Sequence, residues 1–91
     1  ELLTSDLKQP LDVFRVELKP EDGNLATRLS PQATEVCIYV TQGQLDIKLA
    51  DKIYRLGRGD SIYVEGVFLR RLLAQGDGPV HFILALTPSI F

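Results

Sequence analysis

Two adjacent arginines, Arg70 and Arg71, sit inside an otherwise apolar run, Val67–Ala74 (VFLRRLLA). A planar guanidinium pairs bidentately with a carboxylate, so an arginine turned toward an apolar interior is an anion hook. Neighbouring residues of a strand face opposite sides, so one of the two points inward and the other outward. The plainer reading has one arginine reaching solvent along its aliphatic stem and the other pairing with a structural carboxylate. Arg28, next to Leu29, can enter the same interior or stay at the surface. Tyr39, Tyr54 and Tyr63 each pair an apolar ring with a hydroxyl, which suits a pocket wall as well as a core. Cys37 alternates with Val36 and Ile38 and reads as a small buried hydrophobe. A nucleophilic role for it would need a base, and the only histidine is His81, far along the chain. Asp46, Asp51 and Asp60 fall on a polar strand face or in turns, so no carboxylate pair for acid–base chemistry stands out.

The elements that position these residues are strands. In Gln44–Ala50 the alternation is strict, with Leu45, Ile47 and Leu49 on one side and Gln44, Asp46 and Lys48 on the other. Period two marks a strand with one buried and one wet face. Further apolar runs are Val36–Val40, Ile53–Leu56 and Ile62–Val64. The breaks between them, at Gln42-Gly43, Asp51-Lys52 and Gly57–Asp60, are short enough for an antiparallel meander. Upstream, Phe14, Val16 and Leu18 alternate against Arg15, Glu17 and Lys19. Pro20–Asn24 makes a turn, Leu25–Leu29 a short strand, and Ser30-Pro31-Gln32 an interruption. Val67–Ala74 is read as a strand, although Leu69, Leu72 and Leu73 also make a helical stripe. Gln75–Pro79 is a turn, and Val80–Thr87 (VHFILALT) resembles a strand buried on both faces. Eight strands without a substantial helix give an all-β sandwich or barrel, with Leu45, Ile47, Leu49, Ile62, Val64, Phe82 and Leu84 in its core.

Ninety-one residues make one small domain. Hydrophobic residues at 45% and charged residues at 24% are those of a soluble globular protein. The net charge of −2 offers no electrostatic footprint for nucleic acid within this chain. One cysteine excludes an internal disulfide framework and suits a reducing, cytoplasmic compartment. No apolar run is long enough to cross a bilayer as a helix, so no membrane role is expected. The chain has no methionine and opens on Glu1, which is expected of a domain from a longer polypeptide. Glu1–Pro10 reads as a linker or edge segment, and 11–91 as the domain.

Tyr39-Val40-Thr41-Gln42-Gly43-Gln44-Leu45, Tyr54–Tyr63 and Gln75-Gly76-Asp77-Gly78-Pro79 together resemble the cupin superfamily, over roughly Leu11–Pro88. The resemblance implies a jelly-roll β-barrel with a ligand cavity between two sheets. Gly43 and Gly59 match tight connections that need a residue without Cβ, and Asp60 is placed to hold its turn by a side-chain oxygen. The family's metal site does not carry over. Its first two histidines fall here on Ser30 and Gln32, and its glutamate on Val36, with Glu35 beside it facing the other way. Its third histidine falls on Leu69 or Arg70, depending on a one-residue gap. If Leu69 takes that place, Arg71 shares its face and is the inward arginine. A transition metal wants three or four converging N, O or S ligands, so neither a metal nor another cofactor is expected.

A metal-free cupin is similar to the C-terminal sensor domain of bacterial helix-turn-helix regulators of the xenobiotic-response-element (XRE) type. That resemblance implies a ligand-sensing, dimerising domain of a transcription regulator, without catalysis. DNA would be contacted only through a domain absent from this chain, and the partner in solution would be a second copy. Arg71, Arg28, Gln32 and Tyr63 are the polar groups available to a ligand, expected to be an amino acid or short carboxylic acid. The alternatives are a cupin enzyme domain of isomerase or oxygenase type with a rearranged or lost metal site, and a structural cupin that only dimerises a larger protein.

Overall fold

A computed structural model describes residues 12–28 and 35–87. The expected linker Glu1–Pro10 and the Ser30-Pro31-Gln32 interruption lie outside the described residues. The fold is all-β and antiparallel, with seven strands among the described residues. They are β1 (Asp12–Leu18), β2 (Glu35–Gln42), β3 (Leu45–Leu49), β4 (Lys52–Leu56), β5 (Ser61–Glu65), β6 (Leu69–Ala74) and β7 (Val80–Thr87). One sheet has the order β1-β7-β2-β5 and the other β4-β3-β6. No helix among the described residues is long and apolar enough to cross a membrane.

Period two decides which face each strand buries. In β2, Val36, Ile38 and Val40 are buried, and they pair in register with Leu86, Leu84 and Phe82 of β7. In the second sheet Leu45, Ile47 and Leu72 are fully buried, with Ile47 opposite Leu72. These residues, with Leu18, Val64 and Val80, form one core between the sheets, and Phe82 is its largest fully buried side chain. Of the seven expected core residues, Leu45, Ile47, Val64, Phe82 and Leu84 are buried, while Leu49 and Ile62 are half-buried against the core. Leu49 ends its strand and Ile62 lies on the edge strand β5, so each has fewer neighbours to cover it. β7 is not buried on both faces. Val80, Phe82, Leu84 and Leu86 are buried while His81, Ile83, Ala85 and Thr87 are half-buried, because their side is the outer surface of the sheet. Cys37 is exposed rather than buried, since β2 turns Val36 and Ile38 inward and leaves Cys37 outside.

Two local segments depart from the expected strands. Leu25–Arg28 is a 3-10 turn, not a strand. Asn24 Oδ1 accepts the Ala26 N–H at 3.0 Å, and Thr27 Oγ1 donates to Asn24 O at 2.8 Å. Such local side-chain bonds give the backbone an alternative to a ladder. Val67 and Phe68 belong to a second 3-10 turn, Gly66–Phe68, so β6 begins at Leu69. The Asn24 amide also reaches β6, an edge strand among the described residues. Its Nδ2 donates to Arg70 O at 3.0 Å and its Oδ1 accepts the Leu72 N–H at 2.9 Å. One side chain thereby occupies edge groups that would otherwise invite another strand.

Two turns behave as their residues require. Asp60 Oδ2 accepts the Gly57 N–H at 2.9 Å, and Asp60 N–H donates to Gly57 O at 3.0 Å. Gly43 has φ +84°, and a Cβ there would lie 2.7 Å from Pro79 O. Only glycine fits that approach.

Candidate functional site

The places matched to the family's metal ligands come first. Val36 is 1% exposed and has no donor, Leu69 is half-buried against the core, and Ser30 and Gln32 lie outside the described residues. Arg70 Nη1 donates to Val67 O at 2.7 Å at the surface. Among the described residues no three His, Cys, Asp or Glu side chains are grouped as a metal site would need. The described residues at these places do not fit a metal centre of the family's type.

Three of the four expected ligand-binding residues, Arg28, Arg71 and Tyr63, are described, and they do not converge. Gln32 lies outside the described residues. Arg28 closes the 3-10 turn Leu25–Arg28, is exposed, and donates through Nη2 to the backbone carbonyl of Asp22. Arg71 is placed on the outer face of its sheet rather than toward the cavity. It pairs in register with Lys48, while the neighbouring pair Ile47 and Leu72 is the buried one. The register shifts between Lys48 and Leu49, so that Leu49 pairs with Leu69 and Arg70 is the extra residue. A bulge of this kind breaks period two, which is why Leu69 and Arg71 do not share a face. Arg71 Nη2 lies 3.4 Å from Asp46 Oδ1, and its buried Nε has no hydrogen-bond partner among the described residues. Asp46, expected on a wet face, is 8% exposed.

Tyr63 also faces outward, with its O–H donating to Glu35 Oε1. That bond holds the phenol above its ordinary pKa of 10.0, and limited desolvation and the charges of Glu35 and Glu65 push the same way. Glu35 and Glu65 stand opposite each other on β2 and β5. His81 Nε2 lies 3.7 Å from Glu17 Oε2 on the outer face of the four-stranded sheet. His81 pairs with Gln42 and Cys37 with Ala85, so the two are well separated along β2 and do not make a nucleophile–base pair.

A pocket of about 310 Å³ lies where the β3–β4 turn, the end of β5 and the 3-10 turn Gly66–Phe68 meet. Leu49, Ala50, Val64 and Phe68 give it apolar walls, and Tyr63 and Glu65 are its polar lining. Ala50 N–H donates to Phe68 O at 2.8 Å, which ties the two turns together across the pocket wall. Of the four expected residues, Tyr63 alone lines it. The sequence reading passed over Leu49, Glu65 and Phe68 as ligand contacts, and it passed over Asp12 altogether. Asp12 is 6% exposed and pairs with buried Leu86. Carrying the Phe14, Val16, Leu18 alternation two residues upstream would have turned Asp12 inward.

The chain has the cupin fold. It is similar to a crystallised Cupin_2 domain of an XRE-family transcriptional regulator from Enterobacter cloacae, with a TM-score of 0.75 and 22% identity, over 96% of this chain and 92% of that one. An HTH_3-family transcriptional regulator from Vibrio cholerae matches with a TM-score of 0.74 and 13% identity, over 94% of this chain and 48% of that one. This chain therefore spans about half the length of that regulator. Ectoine synthase from P. lautus matches with a TM-score of 0.71 and 11% identity, over 91% and 57%. No family model and no curated protein matches the sequence.

Proposed function

We propose that this chain is the ligand-sensing, dimerising domain of a bacterial transcription regulator and binds a small metabolite without chemistry. The observation that carries this reading is the fold match with a regulator's cupin domain over nearly the whole length of both chains. The apolar pocket beside β5 supplies a place for the ligand. In this reading the regulator is cytoplasmic, and DNA is held by a domain outside this chain. An amino acid or short carboxylic acid is the ligand class expected, and a second copy is the protein partner. This reading assigns the dimer contact to the outer face of the four-stranded sheet, where Val13, Ala85, Cys37 and Tyr63 lie in one row across the strands and Tyr39 follows two residues along β2. Sensing then requires that ligand bind two dimer arrangements with different affinity.

The ectoine synthase match supports the enzyme alternative to the same degree as fold alone can. Two measurements separate the readings. Sedimentation equilibrium should give twice the 10.2 kDa chain mass, and a melting-temperature screen of amino acids and short carboxylic acids should find stabilising members. A monomer at all concentrations with no stabilising compound contradicts the proposal. One bound transition metal per chain, whose removal abolishes turnover, supports the enzyme instead.

A further inference from the structure

The lining of the pocket says what kind of ligand it takes. Four of its six residues are apolar, and its one carboxylate is Glu65. Among the described residues the Glu65 side chain makes no hydrogen bond or ion pair, so its charge is free to meet a ligand. Glu35 stands directly across from it on β2 and is held by the Tyr63 hydroxyl, which adds a second negative charge beside the opening. An anionic ligand would meet like charge against apolar walls. A cation with an apolar body gains from both, and the ring of Phe68 can stack a cation on its face. At about 310 Å³ the pocket is at the small end of ligand sites.

We propose that this pocket binds a small organic cation, an amine whose charge pairs with Glu65 and whose apolar body lies against Leu49, Val64 and Phe68. The inference rests on reading the chain as a ligand-binding domain and narrows its ligand class, favouring amino compounds over simple carboxylic acids.

Calorimetry with three probes of matched shape tests it: 2-phenylethylamine as cation, 2-phenylethanol as neutral and phenylacetate as anion. The amine should bind about tenfold or more tighter than the alcohol, as a charged hydrogen bond implies, with the anion weakest. Glu65→Gln, an exposed and conservative change, should bring amine and alcohol to similar affinity. Phe68→Ala should weaken both alike. If the anion binds as well as the amine, the cationic assignment is wrong and the pocket reading stands. If none of the three binds at millimolar concentration, the pocket reading itself fails.

Discussion

Arg71 Nη2 lies 3.4 Å from Asp46 Oδ1 across neighbouring strands of the three-stranded sheet, with the two side chains 33% and 11% exposed. The distance is long for a charge-assisted bond, and the arginine is partly wet. Breaking a fully buried pair costs about 3–5 kcal/mol and an exposed one less than about 1. Asp46→Asn should therefore destabilise by about 1–2 kcal/mol in urea denaturation. Arg71→Ala should cost a similar amount and leave the binding of any pocket ligand unchanged. A loss of ligand affinity in Arg71→Ala would put the site on the other sheet.

Asn24 holds the β6 edge by both halves of its amide. Asn24→Ala removes both bonds and should cost about 1–3 kcal/mol. Asn24→Asp keeps the acceptor for Leu72 N–H but sets a carboxylate against Arg70 O, and should rank between wild type and alanine. Equal denaturation midpoints for all three proteins would show that water replaces the amide.

Gly43 and Gly76 both have positive φ, +84° and +89°, but only Gly43 is crowded. Gly76→Ala should cost about 1–2 kcal/mol for the left-handed backbone alone. Gly43→Ala adds a clash with the Pro79 carbonyl and should cost about 2–4 kcal/mol. Thermal unfolding of the two variants side by side gives the order, and a reversed order would refute the crowding.

Much of this architecture is legible in the sequence because burying one face of a strand imposes period two. Leu45, Ile47 and the β2 residues Val36, Ile38 and Val40 announce their faces directly. Arg71 does not, because the bulge at Arg70 adds one residue and turns everything before it to the opposite side. The interruption needs a partner strand to be seen. Asn24 is similar: a turn residue by type, it acts on Leu72, far away in sequence, and no local pattern reports such a contact. Glu65 was hidden by the opposite error, since an acidic residue at a strand end looks like ordinary surface until the Gly66–Phe68 turn folds over beside it.

The raised Tyr63 pKa has a sign that can be checked. The folded state holds the phenol proton more tightly than the unfolded chain does, chiefly through the bond to Glu35. The stabilisation is therefore complete below the ordinary tyrosine pKa of 10.0 and is lost as pH rises through the higher folded value. Phenolate absorbance should contain a late-titrating component that Tyr63→Phe removes and Glu35→Gln moves to lower pH. Persistence of that component in Tyr63→Phe would assign it elsewhere.

The central claim is that the pocket beside β5 is where this domain meets its ligand. Amide chemical-shift mapping of the ¹⁵N-labelled protein, titrated with 2-phenylethylamine, tests it most directly. The account predicts saturable shifts centred on Leu49, Ala50, Val64, Glu65 and Phe68, with Asp46, Arg71 and Leu73 on the outer face of the other sheet unmoved. Shifts centred on that outer face, or none at any concentration, would contradict it.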